Sequence, residues 1–140
     1  MQLKIKKIHP EAVLPTFAHP ADAGMDLYAL ETVTIESGER VQIKTGIAMA
    51  IPMGYVGLIW DKSGVSQKFG LKTFGGVIDS GYSGEVMIGL LNTSPENFTF
   101  EAGQKVAQML IQKIEHPSIL EVIELDETNR GEGAFGSSGK

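Results

Sequence analysis

The sequence predicts an all-β domain, and three observations carry that prediction. Short runs rich in Val and Ile recur along the 140 residues, divided by turn-forming residues. Glycine is abundant at 17 and proline modest at 6, a balance that favours many turns. No helix-period pattern exceeds two turns, and no internal repeat of about 20–50 residues is present. The length fits one domain, and 42% hydrophobic residues are enough for a core.

The elements follow in order. Residues 2–8 place Leu3, Ile5 and Lys7 against Lys4, Lys6 and Ile8, which predicts a half-exposed first strand. Pro10, Pro15 and Pro20 then punctuate an irregular stretch containing His9 and His19. Residues 23–29 form a short strand interrupted by Asp26, and residues 32–35 form another. Residues 41–51 make a long strand with Gly46 as a bulge, and residues 55–60 return after a Pro-Met-Gly turn. Residues 61–70 break the strand texture; Ser63 is the expected cap of one or two helical turns that Gly70 stops.

Residues 75–92 then read as a β-hairpin around the polar turn Asp79-Ser80-Gly81-Tyr82-Ser83-Gly84. Its return strand, Val86 to Leu91, is apolar at nearly every position, so both of its faces are expected to be buried. Strands at 98–100, 104–114 and about 119–123 complete the series. The domain is expected to end near residue 125. Residues 126–140 hold only two apolar side chains, Ala134 and Phe135, and predict a mobile glycine-rich tail.

Composition also excludes functions. There is no cysteine, so disulfides and thiolate metal sites are ruled out. No apolar run reaches the length of a membrane span, and the first residues lack the apolar core of a signal peptide. A cytoplasmic protein with no membrane partner is the expectation. The net charge of −5 without a basic stripe argues against a nucleic-acid polymer, though not against a single nucleotide.

Several stretches carry candidate chemistry beside a plainer alternative. Asp79 and Tyr82, three residues apart around a tight turn, can face one small space, but Asp-Ser-Gly is also an ordinary turn. Lys62-Ser63-Gly64 at a helix mouth makes a phosphate cradle or a simple N-cap. Asp26, in apolar surroundings, is either paired structurally or holds water on a cation. Gln108 is a satisfied core amide or a group aimed at a site. In the tail, Arg130 suits phosphate and Phe135 suits a base, among glycines that let the backbone wrap a ligand; the alternative is a disordered terminus. Eleven extended residues reach about 35 Å, enough to cross onto a neighbouring subunit.

Together these stretches resemble the trimeric dUTP diphosphatases (dUTPases). The family's motifs are matched in order by Ala23 to Leu27, Lys62 to Gly64, Gly76 through Asp79, Tyr82 and Gly84 to Asn92, Gly103 to Gln108, and Arg130 to Gly139. The resemblance runs from about residue 2 to the end, and the third and fifth motifs are the specific ones. It implies a distorted jelly roll of the β-clip type, a homotrimer with sites shared between subunits, and hydrolysis of dUTP to dUMP and pyrophosphate with Mg²⁺.

The roles implied are as follows. Gly76, Val77, Ile78 and Met87 of the hairpin would bind uracil, largely through backbone groups. Tyr82 would press on the deoxyribose. Asp79 would bind the 3′-hydroxyl and hold the water that attacks the α-phosphorus. Lys62, Ser63 and Gly64 would contact phosphates. Asp26 and Gln108 would hold the waters of a Mg²⁺ bound mainly by the triphosphate, with Gln108 also near the substrate. Phe135, Gly136 and Ser137 would close over it, with Arg130 on the γ-phosphate.

The chain departs from the usual pattern at Lys62 and Lys105, where arginine is common, and at Gln104, Gly81 and Ala134. Lysine keeps the charge and loses the bidentate fork. Two alternatives remain open. One is the related dCTP deaminase branch, which needs a catalytic glutamate just past the hairpin, where Glu85 and Glu96 are the nearest. The other is a nucleotide-binding jelly roll without catalysis.

Overall fold

A computed structural model describes residues 1–129 and 131–133. Ten strands and one short helix follow one another: β1 (Lys4–Lys7), β2 (Met25–Tyr28), β3 (Val33–Ile35), β4 (Arg40–Ala50), β5 (Tyr55–Asp61), α1 (Ser63–Phe69), β6 (Leu71–Phe74), β7 (Val77–Asp79), β8 (Glu85–Asn92), β9 (Phe98–Phe100) and β10 (Lys105–Lys113). Two antiparallel four-stranded sheets face each other, ordered β1-β4-β8-β6 and β2-β10-β5-β7, with β3 and β9 as a separate ribbon. Leu27, Ile43, Ile88, Leu90, Phe100 and Met109 are sealed between them. The architecture is the distorted jelly roll expected from the sequence.

The helix is short for local reasons. Gly70, at φ 68°, adopts the left-handed turn that ends it, and its N–H reaches Ser66 O at 3.0 Å. Its other end differs from expectation: Lys62 stands at the cap with extended backbone and no side-chain cap bond, and Ser63 is the first helical residue. Gly46, at φ 69°, marks the bulge, where the β4–β8 register shifts between Lys44 and Ala48.

Three further expectations are corrected. The flanks of the Asp79–Gly84 turn do not pair with each other: β7 joins β5 in one sheet, whereas β8 lies between β4 and β6 in the other. The turn therefore carries the chain between sheets, because β8 finds longer partners than three-residue β7 offers. In β8, burial alternates: Val86, Ile88, Leu90 and Asn92 point into the core, while Met87, Gly89 and Leu91 are half-buried. Apolar composition on the second face reflects partial cover, not a second core layer. Finally, residues 119–123 form no strand, and Ile119 and Ile123 are fully exposed. Strand-like composition there is not matched by any pairing among the described residues.

Candidate active site

Two groups of site residues occupy one face of the sheet β2-β10-β5-β7. Register sets this directly. Asp26 pairs with Gln108, and Gln108 with Trp60. Further along, Leu58 pairs with Val77 and Val56 with Asp79. Directly opposed residues of antiparallel strands share a face, so Asp26, Gln108, Trp60, Val77 and Asp79 all point outward.

The first group surrounds Asp26, only 3% exposed. Lys62 Nζ lies 2.5 Å from its Oδ1, and Lys105 Nζ lies 2.6 Å from its Oδ2. Burial alone would raise this carboxyl, but hydrogen bonds from Lys105 and Lys62, with their charges, hold it below the ordinary value. Asp26 in turn raises Lys105, by hydrogen bond first and by charge second. Gln108 Nε2 donates to Asp61 O at 2.8 Å. Its Oε1 lies over Gly24, where any side chain would collide with it. Ser63 and Gly64 are exposed beside Lys62 at the start of α1.

Asp61 holds this corner in place. Its side chain points the other way, between the sheets, and accepts from Lys72 Nζ (2.7 Å), Thr73 N (2.7 Å) and Thr73 Oγ1 (2.6 Å). Burial pushes Asp61 up, and the bonds from Lys72 and Thr73 outweigh it, leaving the carboxyl below its usual range. Thus the residue before Lys62 staples one sheet to β6 of the other.

The second group is the turn after β7. Gly76 packs tightly on β5: Ile59 N donates to Gly76 O at 2.7 Å, and a Cβ on Gly76 would sit 2.5 Å from Ile59 O. Val77 and Asp79 are exposed and Ile78 half-buried. Gly81, at φ 94°, turns the chain, Tyr82 N donates to Asp79 O at 3.2 Å, and Tyr82 Oη donates to Glu85 O at 2.8 Å. A cleft of about 230 Å³ beside Gly76 is lined by Trp60, Lys72, Phe74 and Val77. A larger groove, about 490 Å³, runs along β1 and β4 to Gly81–Ser83, so Tyr82 forms one of its walls.

The two groups do not meet within one chain. Asp26 and Asp79 are three strands and four residues apart, which is about 20 Å at ordinary strand spacings. Arg130, Phe135, Gly136 and Ser137 lie outside the described residues. Among the described residues, no group of three or more His, Cys, Asp or Glu is placed to hold a metal.

The dUTPase family model matches residues 10–139. The chain belongs to the dUTPase family. The deoxyuridine 5′-triphosphate nucleotidohydrolase of Clostridium kluyveri is 43% identical over 141 residues, 99% of either chain. That of Thermobifida fusca is 41% identical, over 99% of this chain and 79% of its own. Among solved structures, the Staphylococcus bacteriophage 80alpha dUTPase with dUpNHpp matches at TM-score 0.93 and 34% identity over 99% of each chain. A variant dUTPase from phage phi11 of S. aureus, described with a structural Mg(II) ion, matches at TM-score 0.85 and 31% identity over 91% of this chain and 100% of its own.

In this dUTPase-family chain the lysines of motifs two and four converge on the aspartate of motif one. Sequence reasoning had treated the three separately, since convergence depends on strand pairing. It also missed Asp61 and Trp60. Asp61 had one available signal, a carboxylate ending an apolar strand beside Lys62-Ser63-Gly64; Trp60 had only its place in the strand's alternation.

Proposed function

We propose that the chain is a dUTP diphosphatase, cleaving dUTP to dUMP and pyrophosphate by in-line attack of water on the α-phosphorus. The reading rests on family membership together with one observation: the Asp79 turn and the Asp26–Lys62–Lys105 corner share a sheet face yet stand about 20 Å apart. A triphosphate cannot bridge that gap while its α-phosphorus touches both, so the working site joins two copies. A homotrimer supplies them, with the tail of a third closing the site. Exposed Trp60 and Val77 on the shared face, and exposed Ile119, Leu120, Ile123 and Leu125, give the apolar surface that such copies would cover.

The roles follow from chemistry. The backbone of Gly76, Val77 and Ile78 offers a fixed donor–acceptor edge to uracil; cytosine presents the reverse pattern and is rejected. Asp79, exposed and on a short, packed strand, accepts a proton from the attacking water and holds it in line. Lys62, Ser63 and Gly64 receive phosphate oxygens. Arg130, Phe135, Gly136 and Ser137, from the segment 126–140, close over the nucleotide and exclude water. dUpNHpp, bound by the phage relative, is a dUTP whose α–β bridging oxygen is NH, the bond this reaction cuts.

Both Asp26 oxygens are already paired, so the described residues do not form a protein cage for Mg²⁺. They fit an ion that the triphosphate would hold, with Gln108 and Asp26 as the acceptors that would receive its waters. When bound there, Mg²⁺ would neutralise charge on the leaving pyrophosphate. The deaminase reading loses ground because Glu85 is occupied: its carboxylate accepts the Gly46 N–H at 2.8 Å.

The test is product analysis with dUTP, dCTP, UTP and dTTP, with and without Mg²⁺. Cleavage of dUTP alone, accelerated by Mg²⁺, is expected. Deamination of dCTP, or dUTP bound but never cleaved, would overturn the assignment.

A further inference from the structure

We propose that Gly84 and Glu85 are positioning residues for sugar discrimination, acting by holding the ring of Tyr82 in one pose. The inference rests on the reading above, in which Tyr82 is the surface that meets the deoxyribose.

The chain of contacts begins away from the site. The bulge in β4 displaces Gly46 from the β4–β8 ladder, where the register shifts. A bulge leaves its extra residue without a ladder partner. Here Glu85 Oε1 accepts the Gly46 N–H at 2.8 Å. Next to it, Thr45 Oγ1 donates to Val86 O at 2.6 Å, so the first two residues of β8 are tied to the bulge by side chains. Glu85 is thereby fixed at the foot of the turn. Its carbonyl accepts the Tyr82 hydroxyl at 2.8 Å.

Gly84 completes the seat. A Cβ there would lie 2.5 Å from Tyr82 Oη, 2.7 Å from Cζ and 3.1 Å from Cε2. The ring therefore rests directly on the Gly84 backbone. Gly84 is not among the residues in the left-handed region, so glycine is needed at this position for the ring and not for the turn. This separates it from Gly81, whose φ of 94° serves the backbone itself. Tyr82 is 45% exposed, so about half of its surface faces solvent. One bond and one flat seat hold a ring that would otherwise sample several rotamers. Loss of either lets the ring swing and opens space for a 2′-hydroxyl.

The experiment compares kcat/KM for UTP and dUTP in the full chain. Shape exclusion of one hydroxyl is worth at most about 10²-fold. Gly84→Ala and Glu85→Ala are expected to raise the UTP/dUTP ratio on the order of 10-fold, towards the value for Tyr82→Ala. Glu85→Gln keeps an acceptor for Gly46 and should stay near wild type, a rescue that general loosening of the fold would not give. Tyr82→Phe removes only the hydroxyl tether and should raise the ratio with the backbone untouched, which covers the case in which Gly84→Ala fails to fold. A ratio within about twofold of wild type in Gly84→Ala, Glu85→Ala and Tyr82→Phe, alongside a raised ratio in Tyr82→Ala, overturns this inference and leaves the function standing. An unchanged ratio in Tyr82→Ala overturns both the inference and the sugar-filter role. Absence of dUTP cleavage by wild type overturns the function itself.

Discussion

Replacing Asp61 by alanine should destabilise the protein by about 2–4 kcal/mol. Three donors converge on this carboxylate, and they are unequal. Lys72 has a side chain 56% exposed and regains water easily, so its arm contributes little. Thr73 is only 8% exposed, and both its N–H and its hydroxyl lose their acceptor. Each buried donor left unmet costs about 1–3 kcal/mol, and a water entering the vacated space recovers part of that. Asp61→Asn keeps an oxygen towards Thr73 and should cost about 1 kcal/mol.

The pH dependence has a definite sign. Burial raises the folded carboxyl, but the hydrogen bonds from Lys72 and Thr73 outweigh it and hold the group below its ordinary value. Its contribution is therefore complete above the unfolded value and is lost as pH falls through the folded one, in a window below about pH 4. The stability gap between wild type and Asp61→Asn should shrink across that window. Urea unfolding followed by the fluorescence of Trp60, at fixed protomer concentration, measures both quantities. An Asp61→Ala midpoint equal to wild type, or a gap independent of pH, would refute the staple between the sheets. The same variant should raise KM for dUTP, since losing the Lys72 and Thr73 bonds frees the strand end that carries Lys62 and presents the carbonyl bound by Gln108.

Three other outcomes are expected. Asp79→Ala should fold and assemble normally while losing turnover by at least about 10²-fold; activity near wild type would remove its water-holding role. Truncation after Asp126 should leave assembly intact and collapse kcat/KM, and unchanged kinetics would show that the tail does not close the site. Gly76→Ala should weaken dUTP binding and cost about 1–3 kcal/mol, because a Cβ 2.5 Å from the Ile59 carbonyl must push β7 away from β5; isothermal titration with dUpNHpp, together with urea unfolding, checks it.

Most strands were legible because alternation and turn residues are local signals. Phe98–Phe100 lies where its short aromatic pattern placed it, and Gly46 marks the bulge in the long strand. The pairing of β7 was not legible. Two apolar runs around a turn look like a hairpin, and nothing local says that one run will join β5 and the other β4. Residues 119–123 have strand composition yet form no strand, because composition records a preference and not whether a neighbouring edge is in reach. At the site, Asp26 was recognisable as a buried carboxylate in need of a partner. That two lysines, 36 and 79 positions further on, would both answer it became visible only with the register of β2 against β10.

The separation of Asp26 from Asp79 has a genetic consequence. If each working centre borrows its water-holding aspartate from one copy and its cation corner from another, a defect in either belongs to only one contributor. Take two alleles, one encoding Asp79→Ala and the other a change that disables the cation corner, each leaving every centre defective when expressed alone. Expressed together, they assemble mixed particles in which about one centre in four unites the two sound halves. Two dead genes would then restore hydrolysis between them, which no enzyme with a self-contained centre can do.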